Sequence, residues 1–341
     1  ISTITRIDSE VDILDKVSKA DFIYHLAGVN RPKDEAEFKK GNIDLTALII
    51  NQLVALNKKT PIVLTSSIQA SLDNAYGISK ADAENIINRY QAKTGADVYI
   101  YRLPNVFGKW CRPNYNSAVA TFCYNTINDL PISINNAEAE LNLVYIDDVC
   151  KNFLRLLDPT IIKHNVCEVL PVYSTTVGDV VELLSKFKSS KESLITEKVG
   201  TELTRALYST YVSYLTSEQF SYTVTRHSDE RGTFVEMLKT KDSGQFSFFT
   251  AHPGVTRGGH YHHTKTEKFL VIKGKASFKF RHIVTNECYE LFVDGEDSKI
   301  VETAPGWSHD ITNIGDDEMI VMLWANEIFD RKNPDTINFK V

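Results

Sequence analysis

The 341-residue chain predicts two unlike domains in series, an α/β domain built on a parallel sheet and then an all-β domain. Three observations carry that expectation. The length exceeds what one average core accommodates, which favours two domains. As far as about residue 215, short apolar runs alternate with helical stretches, the pattern of a parallel sheet with crossover helices. Beyond that point the helices give way to short strands cut by turns, as in a sandwich or barrel. The expected domains are therefore residues 1–215 and 216–341.

In the first domain, "DFIYHLAG" (21–28), "PIVLTSS" (61–67) and "VYIYRL" (98–103) are β-branched, aromatic and apolar runs between charged or turn residues. They read as buried strands. Between the first two, "NIDLTALIINQLVALNKK" (42–59) sets Ile43, Leu45, Leu48, Ile49, Leu53, Val54 and Leu56 at helical spacing, with Asn and Asp at its start and Lys at its end. "TITRID" (3–8) is expected to be a further strand. "SKFKSSKESLITEKVG" (185–200) is polar and rich in serine and lysine, so a surface excursion is expected there. "YSTYVSYLTSEQFSY" (208–222) reads as the junction. After it, "GQFSFFTAHPG", "EKFLVIKGKASFKFRHI", "ECYELFVDGED", "SKIVETAPG" and "MIVMLWANEIF" supply the strands of the second domain.

Composition removes several classes of function. A hydrophobic share of 43% and a charged share of 24% suit a soluble protein with real cores. The net charge of −6 speaks against a nucleic-acid binder, whose footprint is basic. No apolar run approaches the roughly 20 residues of a membrane span, and no secretory leader is read. Cys111, Cys123, Cys150, Cys167 and Cys288 are scattered without CxxC spacing, which fits reduced thiols and a cytoplasmic location.

"YGISK" puts Tyr76 and Lys80 on one face of a helix that continues through "SKADAENIINRYQAK". An ammonium beside a phenol lowers its pKa and lets it exchange a proton near neutrality. Ser66 and Ser67 end the strand upstream, where a hydroxyl can hold a substrate carbonyl. Tyr-x-x-x-Lys alone occurs by chance; its neighbours give it weight. "HLAG", "TSS", "YxxxK", "RLPNVFG" and "YIDDVC" follow one another in an order that resembles the extended short-chain dehydrogenase/reductase family over roughly residues 1–160. The resemblance implies a Rossmann-type fold, with Tyr76 as proton donor, Lys80 as its activator and ribose ligand, and Ser67 or Ser66 on the substrate oxygen. It also implies that Ala27 and Gly28 lie along the cofactor and that Asn105 reaches substrate. The chain departs from the family twice. It has no G-x-x-G-x-x-G phosphate loop, which is expected before Ile1 if "TITRID" is the second strand, and the gap from Ser67 to Tyr76 is short. Arg6 then stands where these enzymes read the adenosine ribose, and an arginine there pairs with a 2′-phosphate, which points to NADPH.

In the second domain, His260, His262, Glu267 and Gly274 form H-x-H-x4-E-x6-G, and Pro305, Gly306, His309 and Asn313 form P-G-x-x-H-x3-N. Alternate residues on a strand share a face, so His260 and His262 can point together into a barrel. Such N/O donors suit zinc or another divalent first-row metal. The paired motifs resemble the cupin (jelly-roll) family over about 245–325. "SDERGTFVE" (228–236) and "HPGVTRGGHYHH" (252–263) resemble the deoxyhexulose nucleotide 3,5-epimerases, themselves cupin-like. That resemblance implies that His260 removes a proton beside a ketone and that Arg231 binds the substrate diphosphate. A C–H beside a 4-keto group is acidic enough for a neutral imidazole to take. One nitrogen cannot be base and ligand at once; the favoured metal set is His262, Glu267 and His309, with His260 as the base.

Taken together, a ketone reductase joined to a domain suited to epimerising beside a ketone is similar to the CapF family of bifunctional capsular-polysaccharide enzymes. "FGKWCRPNYNS" (107–117) and "HHTKTEKFLVIKGK" (262–275) carry that likeness over nearly the whole chain. The resemblance implies C3 epimerisation of a UDP-2-acetamido-2,6-dideoxy-4-hexulose, then C4 reduction with NADPH to UDP-2-acetamido-2,6-dideoxy-L-talose, toward UDP-N-acetyl-L-fucosamine. It also implies a homodimer. Two rivals remain: a degenerate sugar-nucleotide-binding scaffold, and a single-activity epimerase/dehydratase whose cupin only dimerises.

Overall fold

A computed structural model describes residues 1–158 and 166–341. The chain forms two compact units that are not contiguous in sequence. The first comprises residues 1–182 and 209–214, and the second 183–208 and 215–341.

The first unit begins with α1 (Glu10–Ser18) and β1 (Ile23–His25). A single turn α2 (Ala36–Phe38) and a π-helical turn (Lys39–Asp44) lead into α3 (Leu45–Ala55). Then come β2 (Ile62–Ser67), α4 (Ala75–Thr94), β3 (Val98–Leu103) and β4 (Asn105–Phe107). After these follow α5 (Ala118–Ile127), β5 (Glu140–Tyr145), α6 (Ile146–Arg155), β6 (Val166–Cys167) and β7 (Tyr173–Thr176). The order β1-β2-β3-β6 is parallel throughout, and a smaller sheet β4-β5-β7 adds one antiparallel edge. The three quoted strand runs and the helix after Asn42 thus take their expected roles. Leu53, Ile62, Leu64, Ile87 and Val98 close the core between α3, α4 and the sheet.

"TITRID" is not a strand. Asp8 accepts from the Thr5 amide at 2.7 Å and the Thr5 hydroxyl at 2.9 Å, so local side-chain bonds fold this stretch into a turn instead of leaving it extended. The polar stretch after Ser185 is not all excursion either. α7 (Val177–Ser193) runs through half of it, and Ile195 then makes a parallel bridge to Lys239. Serine and lysine on a solvated helix face are compatible with helix, which polarity alone does not reveal. α8 (Glu202–Val212) follows.

Apart from the Ile195–Lys239 bridge, the strands of the second unit pair antiparallel. Its strands are β8 (Arg226–Asp229), β9 (Gly232–Thr240), β10 (Gly244–Ala251), β11 (Thr256–Tyr261), β12 (Glu267–Lys273) and β13 (Lys275–His282). They continue with β14 (Cys288–Asp294), β15 (Ile300–Glu302), β16 (Trp307–Asn313), β17 (Met319–Ala325) and β18 (Ile337–Asn338). One sheet has the order β15-β12-β17-β10-β9-β8 and the other β14-β13-β16-β11-β18. Phe249, Phe269, Val271, Phe278, Ile311 and Met319 fill the core, as inward positions of a sandwich do. This is the expected cupin architecture.

Among the described residues no helix is long and apolar enough to cross a membrane. Cys111, Cys123, Cys150 and Cys288 are free thiols; the thiol of Cys167 lies outside the described side chains.

Candidate functional site

In the first unit, β2 delivers Ser66 and Ser67 and α4 delivers Tyr76, Lys80 and Glu84, three positions one turn apart along one face. Asn74 caps α4, its side-chain oxygen accepting from the Gly77 amide at 2.8 Å. Gly77 explains the short gap. A β-carbon there would lie 2.3 Å from the Gln69 carbonyl and 2.5 Å from that of Leu72, so only glycine lets the helix start directly on the 3-10 turn (Ile68–Ser71) after β2. That contact brings Tyr76 to Ser67.

Strand alternation separates the two serines. Ser66 donates its hydroxyl to the buried Glu84 carboxylate, which Arg102 also grips with Nε at 3.0 Å and Nη2 at 2.7 Å. The Ser67 side chain lies close enough to the Tyr76 phenol to lower its pKa, and the Ser67 hydroxyl accepts from the Gln69 amide at 3.2 Å. Of the alternative pair, Ser67 therefore faces the tyrosine while the Ser66 hydroxyl is engaged elsewhere. Burial holds the Tyr76 phenol above its ordinary value against the opposing effect of Ser67. The lowering expected from Lys80 is not found; desolvation of the phenolate sets the direction. Burial likewise pushes the Lys80 ammonium down, with Glu84 opposing it. Lys80 donates to the Thr65 carbonyl at 2.9 Å and lies 5.9 Å from the Tyr76 ring centroid.

Ser66, Ser67, Tyr76 and Lys80 line a cavity of about 810 Å³ together with Arg6, Gly28, Arg31 and Asn105. Ala27 is exposed and is not among the lining residues, although Leu26 and Gly28 on either side of it are. A methyl on Gly28 would sit 2.9 Å from Lys80 Nζ and 3.1 Å from Asn42 Oδ1. Glycine there lets the Lys80 and Asn42 side chains close against the loop after β1, and the residues lining the cavity fit a nicotinamide nucleotide.

Sequence reasoning missed Asn42. Its side chain accepts from the Val29 amide at 2.7 Å and donates to the Val29 carbonyl at 3.0 Å and to Ser79 Oγ at 2.8 Å, tying the loop after β1 to α4. It also missed His25, buried beneath the lysine with Nε2 2.8 Å from Thr46 Oγ1. Both lie within quoted runs, "HLAG" and "NIDL", but their partners are remote in sequence.

In the second unit β11 carries His260, the following loop His262, β12 Glu267 and β16 His309. One potential ligand atom from each lies within 4.8 Å of the others. All four predicted residues therefore converge, and His260 is the least buried of them. His262 Nδ1 faces the Asp335 carbonyl, which can only accept, so a neutral ring carries its proton on Nδ1. The bare Nε2 then points at Glu267 Oε2, 3.3 Å away, and His309 Nε2 reaches the same oxygen at 3.2 Å. Lone pairs aimed at a carboxylate oxygen fit a divalent cation. Lys265 pairs with Glu267 Oε1 at 2.8 Å. Burial pushes the Glu267 carboxyl up, but Lys265 is among the groups that outweigh it and hold the carboxyl well below its usual range. His260 is pushed down to about 4, chiefly by burial and then by His309, so its ring is neutral at pH 7.

Arg231, at the β8–β9 turn, is exposed and chelated by Asp229, with Nη2–Oδ2 at 2.6 Å. It has a neighbour that sequence reasoning left unassigned. Arg257 stacks 5.3 Å over Phe249 and donates to the Thr250 carbonyl; burial, then Arg231, holds its guanidinium below its ordinary value.

Fold and site define a class: a nucleotide-binding α/β unit of the epimerase/dehydratase type joined to a cupin with a metal-type donor set. Residues 2–166 match the NAD dependent epimerase/dehydratase family and residues 227–337 the polysaccharide biosynthesis C-terminal domain. A UDP-2-acetamido-2,6-beta-L-arabino-hexul-4-ose reductase of Pseudomonas aeruginosa is 58% identical over 332 residues, covering 97% of this chain and 89% of that protein. The crystal structure of the capsular polysaccharide assembling protein CapF of Staphylococcus aureus superposes with a TM-score of 0.90 at 44% identity, covering 98% of this chain and 91% of that one. A UDP-glucuronic acid 4-epimerase from Bacillus cereus, 17% identical with a TM-score of 0.51, shares the fold alone over 61% of this chain and 79% of its own. The chain belongs to the CapF family.

Proposed function

We propose that this chain is a bifunctional UDP-sugar enzyme. Its cupin epimerises C3 of a UDP-2-acetamido-2,6-dideoxy-4-hexulose, and its reductase reduces C4 with NADPH to UDP-2-acetamido-2,6-dideoxy-L-talose, for UDP-N-acetyl-L-fucosamine and surface polysaccharide. The functional division falls at residues 1–215 and 216–341, in a cytoplasmic homodimer. The observation that carries the reading is the occurrence in one chain of two chemically complete sets, Ser67–Tyr76–Lys80 at a large cavity and His260–His262–Glu267–His309 in a cupin.

At C3 the work is a proton transfer. His260, neutral and the least buried of its cluster, takes the C3 proton, and the bond's electrons move toward the C4 carbonyl oxygen as an enolate. A proton delivered from solvent water to the opposite face of C3 inverts that centre, and His260 releases the proton it took back to water. His262, Glu267 and His309 would hold a zinc ion, which would supply positive charge to the site when bound. Arg231 binds the diphosphate.

At C4 the nicotinamide supplies hydride when bound. Tyr76 gives its proton to the C4 oxygen, and burial serves this direction because it keeps the proton on the phenol. Ser67 orients the oxygen and Asn105 contacts substrate. Lys80, near the Gly28 backbone, meets the cofactor ribose; Ala27 and Gly28 flank the cofactor, and Arg6 favours the 2′-phosphate.

The test is incubation with the 4-keto sugar nucleotide in D₂O. Deuterium at C3 without NADPH and oxidation of NADPH on its addition are expected. Absence of both from the complete protein refutes the reading.

A further inference from the structure

Residues 335–339 meet the candidate metal cluster from a remote part of the sequence, and they do so through five separate attachments. The Asp335 carbonyl accepts from His262 Nδ1. The Asp335 carboxylate accepts from the backbone amides of His263 at 2.9 Å, Thr264 at 2.7 Å and Lys265 at 2.9 Å, and from the Thr264 hydroxyl at 3.0 Å. These bonds fix the loop between His262 and Glu267. Next, β18 pairs with β11 so that Asn338 stands opposite His260 and Ile337 opposite Tyr261. The Phe339 amide donates to the Gly259 carbonyl at 3.0 Å, where β11 slips register against β16 between Gly258 and His260. Finally, the Phe339 carbonyl accepts from the Ser308 hydroxyl, next to His309.

One short segment therefore touches the backbone or ring of two of the four donors, His260 and His262, and the hydroxyl of the residue before a third, His309. Each bond has a different consequence. The carbonyl bond selects the His262 tautomer whose Nε2 is bare, and an imidazole with the proton on the wrong nitrogen cannot ligate. The carboxylate bonds set the spacing from His262 to Glu267. The strand pairing closes the edge beside His260, and the Gly259 bond satisfies a carbonyl that the bulge takes out of the ladder.

We propose that residues 335–339 act as a clamp on the metal centre, with Asp335 as a positioning residue that holds His262 ready to ligate. The inference rests on the metal reading of the His260–His262–Glu267–His309 cluster. Asp335→Ala removes the carboxylate and keeps the carbonyl; truncation after Pro334 removes both. Apparent zinc affinity, measured by competition with a chromogenic chelator, is expected to fall about 10- to 100-fold in Asp335→Ala and further in the truncated chain. Asp335→Asn, which retains an accepting oxygen, is expected to recover most of the loss. Cobalt(II) in place of zinc reports coordination directly. Its visible absorption is expected to change in Asp335→Ala while the far-ultraviolet circular dichroism of the metal-free protein stays the same. Unchanged zinc affinity and cobalt spectrum in Asp335→Ala overturn the clamp, whether or not the truncated chain folds. A full-length protein that takes up no zinc refutes the metal reading itself, and the clamp with it.

Discussion

In the proposed mechanism reduction turns on Tyr76, whose phenol lies beside Ser67 and Lys80. Tyr76→Phe keeps the ring and removes the proton. Reduction is expected to drop by about 10²- to 10⁴-fold, while deuterium exchange at C3 persists; NADPH oxidation and mass spectrometry read the two separately. His25 gives a different kind of prediction. Thr46 donates its hydroxyl to the Asn42 carbonyl, so its oxygen accepts the Nε2 proton of His25. Burial, then the Lys80 charge, takes this histidine from 6.5 down to about 4. The unfolded chain therefore binds the proton first as pH falls. Stability is whole above about pH 6.5 and declines toward pH 4, by at most about 3 kcal/mol from this group. Urea unfolding at pH 7 and pH 5 is expected to show that slope, and His25→Gln to flatten it. Neither His25 nor Asn42 carried a signal in the sequence, since a buried histidine or asparagine becomes informative only once its partners are known. Tyr76 and Lys80 did, because one helix turn brings them together without help from the rest of the fold.

At the scale of elements, the decisive contact is α4 starting on the turn after β2. Gly77 allows it, and Gly77→Ala would force the helix away from the Gln69 and Leu72 carbonyls. A loss of about 1–3 kcal/mol is expected, measured by denaturant unfolding, together with reduced turnover as Tyr76 leaves Ser67. The strands and helices around this contact were legible as alternating apolar runs. The failures were local: a side-chain-stabilised turn at Thr3–Asp8 read as a strand, and a polar helix after Ser185 read as a loop. In both, apolarity was a poor guide because side-chain bonding in one case and a solvated helix face in the other set the backbone. Strand alternation did decide between Ser66 and Ser67, but only after Glu84 and Arg102 showed which face was occupied.

For the whole molecule, two chemically separate sets imply activities that complement in trans. His309→Ala is expected to lose metal by elemental analysis and C3 exchange by mass spectrometry, while reducing activity on the epimerised ketone remains. Mixing it with Tyr76→Phe should restore product formation that neither variant achieves alone. An unchanged metal content removes His309 from the ligand set. The sequence by itself determined the succession of an α/β and an all-β domain, and the pairs Tyr76–Lys80 and His260–His262, because hydrophobic period and close spacing are local properties of a chain. Only the tertiary structure decided that residues 183–208 pack with the β unit, that Glu267 and His309 meet His262, and that the Asp335 carbonyl faces that ring. Those outcomes depend on burial and hydrogen bonds between segments far apart in sequence, and no local pattern encodes which distant carbonyl an imidazole will find.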